Sequence, residues 1–269
     1  VRELAYKLIT IDVDDTLLTD DHRITEGTKA ALAEAVSRGV VVTLATGRMF
    51  LSAKQIAKQL ELNVPIITYQ GSLVKTLLDE QVLYERSVPQ PVAKRFYEYC
   101  QEHGLHLHVY NDDTLYVPND GPKSRDYAAL SNIPYTVEPD FSKLIELPLT
   151  KMLMIDEPAK LDALVPELQA MFGGEAHVTK SKPNFLEILH PEATKGHAVR
   201  FLADYYGCDL SEVISIGDSW NDKEMLEVAG LGVAMGNAIE PLKAVADYVT
   251  LTNNEEGVRH VVEKFVLNR

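Results

Sequence analysis

Positive charge is scarce in this chain. Twenty-six lysines and arginines face 40 aspartates and glutamates, for a formal net charge of −14. Such a surface lacks the cationic footprint that nucleic acid or an anionic lipid face requires, so neither is expected as a partner. It also repels anionic substrates at long range. A phosphate-handling site in this chain must therefore bring its own cations or helix N-termini. Cysteine is nearly absent. Cys100 and Cys208 lie far apart, which gives no support to a structural bridge and fits a reducing, cytoplasmic setting with both thiols as small apolar residues. No run is long and apolar enough to span a bilayer. The opening Val1-Arg2-Glu3-Leu4-Ala5-Tyr6-Lys7 has no hydrophobic stretch followed by a small-residue cleavage site, so it is not expected to be a signal peptide. Internal repeats and low-complexity segments are missing too. What remains is an ordinary globular composition, 46% apolar and 25% charged, over 269 residues. That length suffices for one large core or two domains.

The two ends of the chain share a rhythm. Leu8 to Val13 is a β-rich apolar run. Thr25 offers an N-cap for a helix from about Glu26 to Arg38, which Gly39 stops. Val40 to Ala45 reads as a strand buried on both faces, followed by a helix from Phe50 to Leu60 and a short strand, Ile66 to Thr68. The C-terminal third repeats the pattern. Helices are expected over Lys195–Tyr206, Asp222–Val228, Pro241–Ala246 and Val258–Phe265, and strands over Val213–Ile216, Leu231–Ala234 and Tyr248–Thr250. Strands alternating with helices imply an α/β fold around a doubly wound parallel sheet.

The middle third differs. Seven prolines from Pro89 to Pro148 punctuate it. His106–Tyr110 and Thr114–Val117 flank Asn111-Asp112-Asp113 as a β-hairpin. Lys151–Ile155, a helix from Ala159 to Phe172, Ala176–Thr179 and Leu186–Leu189 complete an α+β unit. Residues 86–187 thus read as a domain inserted into a core made of 1–85 and 188–269.

Chemistry-bearing residues collect at the ends of the core strands. Asp12-Val13-Asp14-Asp15-Thr16-Leu17 follows the first apolar run directly. Residues two apart on a strand point the same way, so Asp12 and Asp14 are expected to flank one reacting atom. The carboxyl edge of a parallel sheet is where α/β proteins bind ligands. Carboxylates packed this closely call for a cation, and oxygen-only ligands select a hard one, Mg²⁺. Taken alone, the segment also fits a polar turn whose aspartates cap backbone amides. Three further groups argue otherwise. Ile216-Gly217-Asp218-Ser219-Trp220-Asn221-Asp222 again follows a strand and opens a helix. Thr46-Gly47-Arg48 ends a strand with a hydroxyl, a flexible backbone and a helix start, an anion pocket in outline. Lys195-Gly196 opens another helix. Each group alone could be a helix cap or a solvated side chain; four on one sheet edge point to a site.

These four groups, in this order, resemble the signatures of the haloacid dehalogenase superfamily, and within it the Cof-type sugar-phosphatase-like branch. Ala234-Met235-Gly236-Asn237-Ala238 and the large α/β insertion match that branch as well. The resemblance implies a phosphatase acting on small phosphorylated metabolites such as sugar phosphates, flavin mononucleotide or pyridoxal phosphate. It implies Asp12 as the nucleophile that becomes an acyl phosphate and Asp14 as the acid and then the base. Asp12, the main-chain carbonyl of Asp14, and Asp218 would hold Mg²⁺, with Asp222 acting mainly through a metal-bound water. Thr46, Gly47 and Lys195 would bind the phosphoryl oxygens, and Asn221 would orient Lys195 or the phosphoryl group. Arg48, Lys182 and Asn184 are candidates for selecting the substrate, with the insertion as a specificity cap. His106 and His108 read as surface residues rather than a zinc site. The protein is expected as a monomer or weak homodimer. Two departures stand out: Asp15 replaces a usual glycine, and Gln70-Gly71 replaces a frequent Asn-Gly, so the resemblance assigns no substrate contact at residue 70. A phosphohexomutase on the same fold, or a phospho-accepting receiver module, would share much of this set.

Overall fold

An unbroken apolar run makes the first strand. In the computed structural model, which describes residues 5–269, β1 (Leu8–Asp12) is buried at every position. Of the N-terminal stretch read above, residues 1–4 lie outside the described residues. The chain then forms α1 (Glu26–Ser37), β2 (Val41–Ala45), α2 (Phe50–Ala57), β3 (Pro65–Thr68), β4 (Leu73–Thr76) and β5 (Val82–Glu85). The hydroxyl of Thr25 caps α1 by accepting from the Thr28 amide at 3.2 Å. Next come α3 (Gln90–Glu102), β6 (His106–Asn111), β7 (Thr114–Val117), α4 (Pro122–Ser131), β8 (Thr136–Val137), β9 (Lys151–Ile155), α5 (Pro158–Phe172), β10 (His177–Lys182) and β11 (Phe185–Leu189). The chain ends with α6 (Lys195–Tyr205), β12 (Val213–Gly217), α7 (Lys223–Val228), β13 (Leu231–Ala234), α8 (Glu240–Val245), β14 (Tyr248–Val249) and α9 (Gly257–Val261).

Contacts divide the chain into two compact units. The first comprises the chain up to Thr46, Ala53–Tyr84 and Thr194–Arg269. Its eight-stranded sheet runs β14-β13-β12-β1-β2-β3-β4-β5. Strands β14 through β3 are parallel, as the alternation of strands and helices implied, while β4 returns antiparallel to β3. Ile11 pairs with Ile216 and Asp12 with Ala45. The carboxyl ends of β1, β2 and β12 are therefore level, and Asp12, Thr46 and Asp218 emerge at one edge. The expected continuation of the strand through Asp14 does not form. β1 stops at Asp12, and Val13–Leu17 coil into a tight turn closed by the Leu18 amide on the Val13 carbonyl at 3.0 Å. Asp14 is thus not a strand neighbour of Asp12. Asp15 takes the left-handed conformation, φ 60°, that a glycine would adopt freely and that aspartate tolerates.

The second unit is Glu85–Ala193 with Gly47–Ser52. Its six-stranded sheet runs β10-β11-β9-β6-β7-β8. Alternation along each strand separates two faces. Leu107, Val109, Met152, Met154, Leu186 and Ile188 join Phe96 of α3 and Phe172 of α5 in an apolar core, where the two phenylalanine rings meet edge to face, 6.3 Å apart. The opposite face mixes polar groups with a small apolar cluster of Leu153, Ile155 and Phe185, and it is largely sealed. Lys151 and Glu187 form a buried ion pair at 3.0 Å. His108, expected on the surface, is fully buried, with Tyr127 of α4 edge-on at 5.0 Å. Its Nε2 shares a hydrogen bond with Nε2 of half-buried His106 at 2.8 Å. Burial holds His106 down to about 4 and His108 to about 3. His108 is buried because α4, which carries Tyr127 and is hidden among prolines in the sequence, covers this side of the sheet. Asp112 and Asp113, both left-handed at φ 46° and 55°, make the two-residue turn of the β6–β7 hairpin.

Candidate active site

Two loops and one helix start bring the charged groups together. Asp12 ends β1 and is 7% exposed. Lys195 is the first residue of α6, whose N-cap Thr194 accepts from the His197 amide at 3.1 Å. The lysine is 1% exposed, and its Nζ donates to Asp12 Oδ1 at 2.8 Å and Asp222 Oδ1 at 2.7 Å. The other oxygen of Asp222 accepts from the amides of Asp218 at 2.9 Å and Ser219 at 3.1 Å. Both ends of this fully buried carboxylate are therefore engaged. Gly217 makes the arrangement possible, since a Cβ there would lie 2.5 Å from Asp222 Cβ and Cγ. Thr16, on the turn after β1, donates to Asp218 Oδ1 at 2.8 Å and lies 3.5 Å from Asp12 Oδ2.

Asp12, Asp218 and Asp222 each place a carboxylate oxygen within 4.8 Å of the others. Burial pushes Asp12 well above the usual carboxylate range, with the charge of Asp222 adding to it and Lys195 opposing. Burial raises Asp218 as well. Burial alone would lower Lys195, but the two carboxylates more than reverse this and raise it. Three carboxylates against one ammonium leave a surplus of buried negative charge, and all of the remaining donors are oxygens. That set fits a hard divalent cation.

Thr46 is 2% exposed and follows β2, with its amide bonded to the Ile67 carbonyl at 2.8 Å. Gly47 and Arg48 follow it directly, and Arg48 donates to Ser52 Oγ at 2.9 Å. Lys195 is held by Asp12 and Asp222, while Asn221 Nδ2 donates to Gln70 Oε1 at 3.0 Å, which leaves Asn221 the expected alternative of orienting the phosphoryl group. The carboxylate of Asp14 is not in the three-carboxylate group, which leaves its main-chain carbonyl as the candidate ligand. Lys182 and Asn184 are exposed around the β10–β11 turn of the second unit. Thr16 received no role from the sequence, although its place four residues after Asp12 was a usable signal. The tie between Gln70 and Asn221 had none, because 151 residues separate them.

A carboxylate cluster built around one buried lysine at the carboxyl edge of a doubly wound sheet defines the class: an enzyme that handles phosphoryl groups. Comparison with known proteins agrees. A family model for haloacid dehalogenase-like hydrolases matches residues 9–262. The HMP-PP phosphatase of Cronobacter sakazakii is 33% identical over 238 residues, covering 88% of this chain and 87% of that protein. A crystal structure from Thermotoga maritima is similar with a TM-score of 0.86 at 39% identity, covering 96% of this chain and 97% of that one. A HAD subclass IIB sugar phosphatase is similar with a TM-score of 0.80 at 26% identity, covering 96% of this chain and 98% of the other. The chain belongs to the haloacid dehalogenase-like hydrolases.

Proposed function

We propose that this HAD-type phosphatase hydrolyses small phosphate monoesters, sugar phosphates or similar metabolites, through an aspartyl phosphate on Asp12. The observation that carries the reading is the buried Lys195 clamped between Asp12 and Asp222 beside Asp218 and Thr16. In the first step a carboxylate oxygen of Asp12 attacks phosphorus and the bond to the leaving oxygen breaks. Asp14 gives that oxygen its proton. In the second step Asp14, now a carboxylate, takes a proton from water as the water attacks the same phosphorus. The P–O bond to Asp12 breaks, and inorganic phosphate leaves. Thr46, the Gly47 amide and Lys195 bind the phosphoryl oxygens.

Asp12, the Asp14 carbonyl and Asp218 would hold Mg²⁺, which when bound lets a carboxylate meet a phosphate dianion by offsetting their like charge. The full engagement of both Asp222 oxygens supports a supporting role for that residue outside the direct ligands. We assign leaving-group selection to residues 86–187, with Lys182, Asn184 and Arg48 as the residues to test. The reaction is assigned to the cytoplasm and to a monomer or weak homodimer. Among the described residues, no helix is long and apolar enough to cross a membrane.

The test is phosphate release from a panel of sugar phosphates, nucleotides, flavin mononucleotide and pyridoxal phosphate. Activity is expected with Mg²⁺, to be lost on chelation, and to vanish in Asp12→Asn, whose amide is nearly isosteric but cannot attack. Turnover near wild type in that variant would refute the mechanism.

A further inference from the structure

The turn after β3 is the most strained short segment of the first unit. Tyr69, Gln70 and Gly71 take φ values of 50°, 63° and 129° in succession. Only Gly71 does so without penalty, and it is fixed by packing: a Cβ there would lie 2.3 Å from the Thr194 carbonyl oxygen. Non-glycine residues held left-handed cost of order 1–3 kcal/mol each and persist where the surroundings dictate them. Here the surroundings are three of the four loops that build the site. The Gln70 amide donates to the Thr46 carbonyl at 3.1 Å. Its side-chain Oε1 accepts from Asn221 at 3.0 Å. The next residue packs against Thr194, which precedes Lys195.

The consequence lies in the other half of the amide. Gln70 is 8% exposed. With Oε1 committed to Asn221, the amide cannot rotate freely, and Nε2 is held in one direction. Nε2 donates to no group among the described residues, and it is not among the buried atoms sealed from any partner. A nearly buried pair of N–H donors, its amide plane fixed by Asn221, therefore stands on a residue bordered by the loops that carry Thr46, Lys195 and Asn221. This edge is short of donors. The single charge of Lys195 is already shared between Asp12 and Asp222, and the chain as a whole is acidic.

Resting on the phosphatase reading above, we propose that Gln70 is a further substrate-binding residue, whose Nε2 donates to a non-bridging oxygen of the phosphoryl group. The contact is to the part that all esters share, so Gln70 contributes affinity for phosphate rather than choice among leaving groups. A neutral amide suits the position: it adds a donor to a phosphate dianion without a charge that would compete with Lys195 for Asp12 and Asp222.

Two variants test this. Gln70→Gly removes the amide while relieving the left-handed backbone, so its fold is protected. Gln70→Leu keeps the bulk and removes both donor and acceptor. In each, the inhibition constant of inorganic phosphate is expected to rise about tenfold or more, as for a lost hydrogen bond to a charged group. The specificity constant should fall by a similar factor for every ester tried, p-nitrophenyl phosphate included. Thermal midpoints near wild type for Gln70→Gly accompany that result. An unchanged phosphate inhibition constant in Gln70→Gly overturns the inference alone, as does a loss that varies with leaving group. A wild-type protein inert toward every ester overturns the phosphatase reading and this inference with it.

Discussion

Replacing Lys195 with methionine asks what the buried ammonium does for the fold as well as for the chemistry. Methionine roughly fills the volume but leaves Asp12 and Asp222 unpaired at 7% and 0% exposure. Breaking a buried ion pair from one side costs about 3–5 kcal/mol, a large share of the roughly 5–15 kcal/mol of a typical domain. The loss should depend on pH in a particular direction. Asp12 already holds its proton more tightly in the folded chain than an ordinary carboxyl, through burial and the charge of Asp222, with Lys195 opposing. Removing the ammonium raises it further. A carboxyl raised on folding takes up a proton as the chain folds, so stability grows as pH falls through its folded value toward the unfolded one near 3.9. The deficit of Lys195→Met should therefore be largest at neutral pH and shrink on acidification. Mg²⁺ should offset part of it, since a ligand at about a hundred times its Kd adds about 2.7 kcal/mol. The assay is equilibrium urea unfolding followed by circular dichroism, across pH, with chelator and then with Mg²⁺. A loss below about 1 kcal/mol, the range of exposed ion pairs, with no pH trend, would show that Lys195 is not the counterion of this cluster.

Three further outcomes are expected. Gly217→Ala drives a methyl into Asp222, costing about 1–3 kcal/mol in overpacking and about a hundredfold in kcat through the displaced Lys195; an active, equally stable variant would show that the loop yields freely. His108 is lowered to about 3 by burial and the charges of His106 and Lys151, so the unfolded chain binds its proton first and stability is lost as pH falls below about 6.5. Between about pH 7 and about pH 5 this amounts to about 2 kcal/mol, and His108→Phe should flatten that part of the stability curve; an unaltered acid limb refutes the assignment. Lys182→Ala and Asn184→Ala should reorder specificity constants across a substrate panel while leaving p-nitrophenyl phosphate nearly unchanged; a uniform fall in all of them removes these residues from selectivity.

Legibility followed sequence distance. The carboxylate-bearing segments were readable because each sits at the end of an apolar strand, where period and punctuation are local signals. The bonds that make them a site were not, since Asp12 and Lys195 meet across 183 residues. Helix α3 went unread for another reason. Its buried Val92, Ala93, Phe96, Tyr99 and Cys100 have helical spacing, but Pro91, which reads as punctuation in the sequence, stands in the first turn, where proline is at home. Strands β4 and β5, four residues each, were too short to declare a period. The left-handed turn at Gln70 was hidden because glutamine carries no signal for that conformation. Asp15 shows the opposite case: the usual glycine at that position had already indicated the unusual φ.

The position of β1 has a consequence for how the protein is made. It lies inside the sheet with β2 on one side and β12 on the other, yet β12 begins at Val213. At 5–20 residues per second a ribosome needs roughly 10–40 s to bridge that gap. Throughout that interval an apolar strand stands with one edge unpaired, a template for association with other chains. Lys195 and Asp222 arrive on the same late segment. The nascent chain thus carries Asp12 long before the lysine that pairs with it, and the three-carboxylate cluster cannot assemble until that later segment has been made.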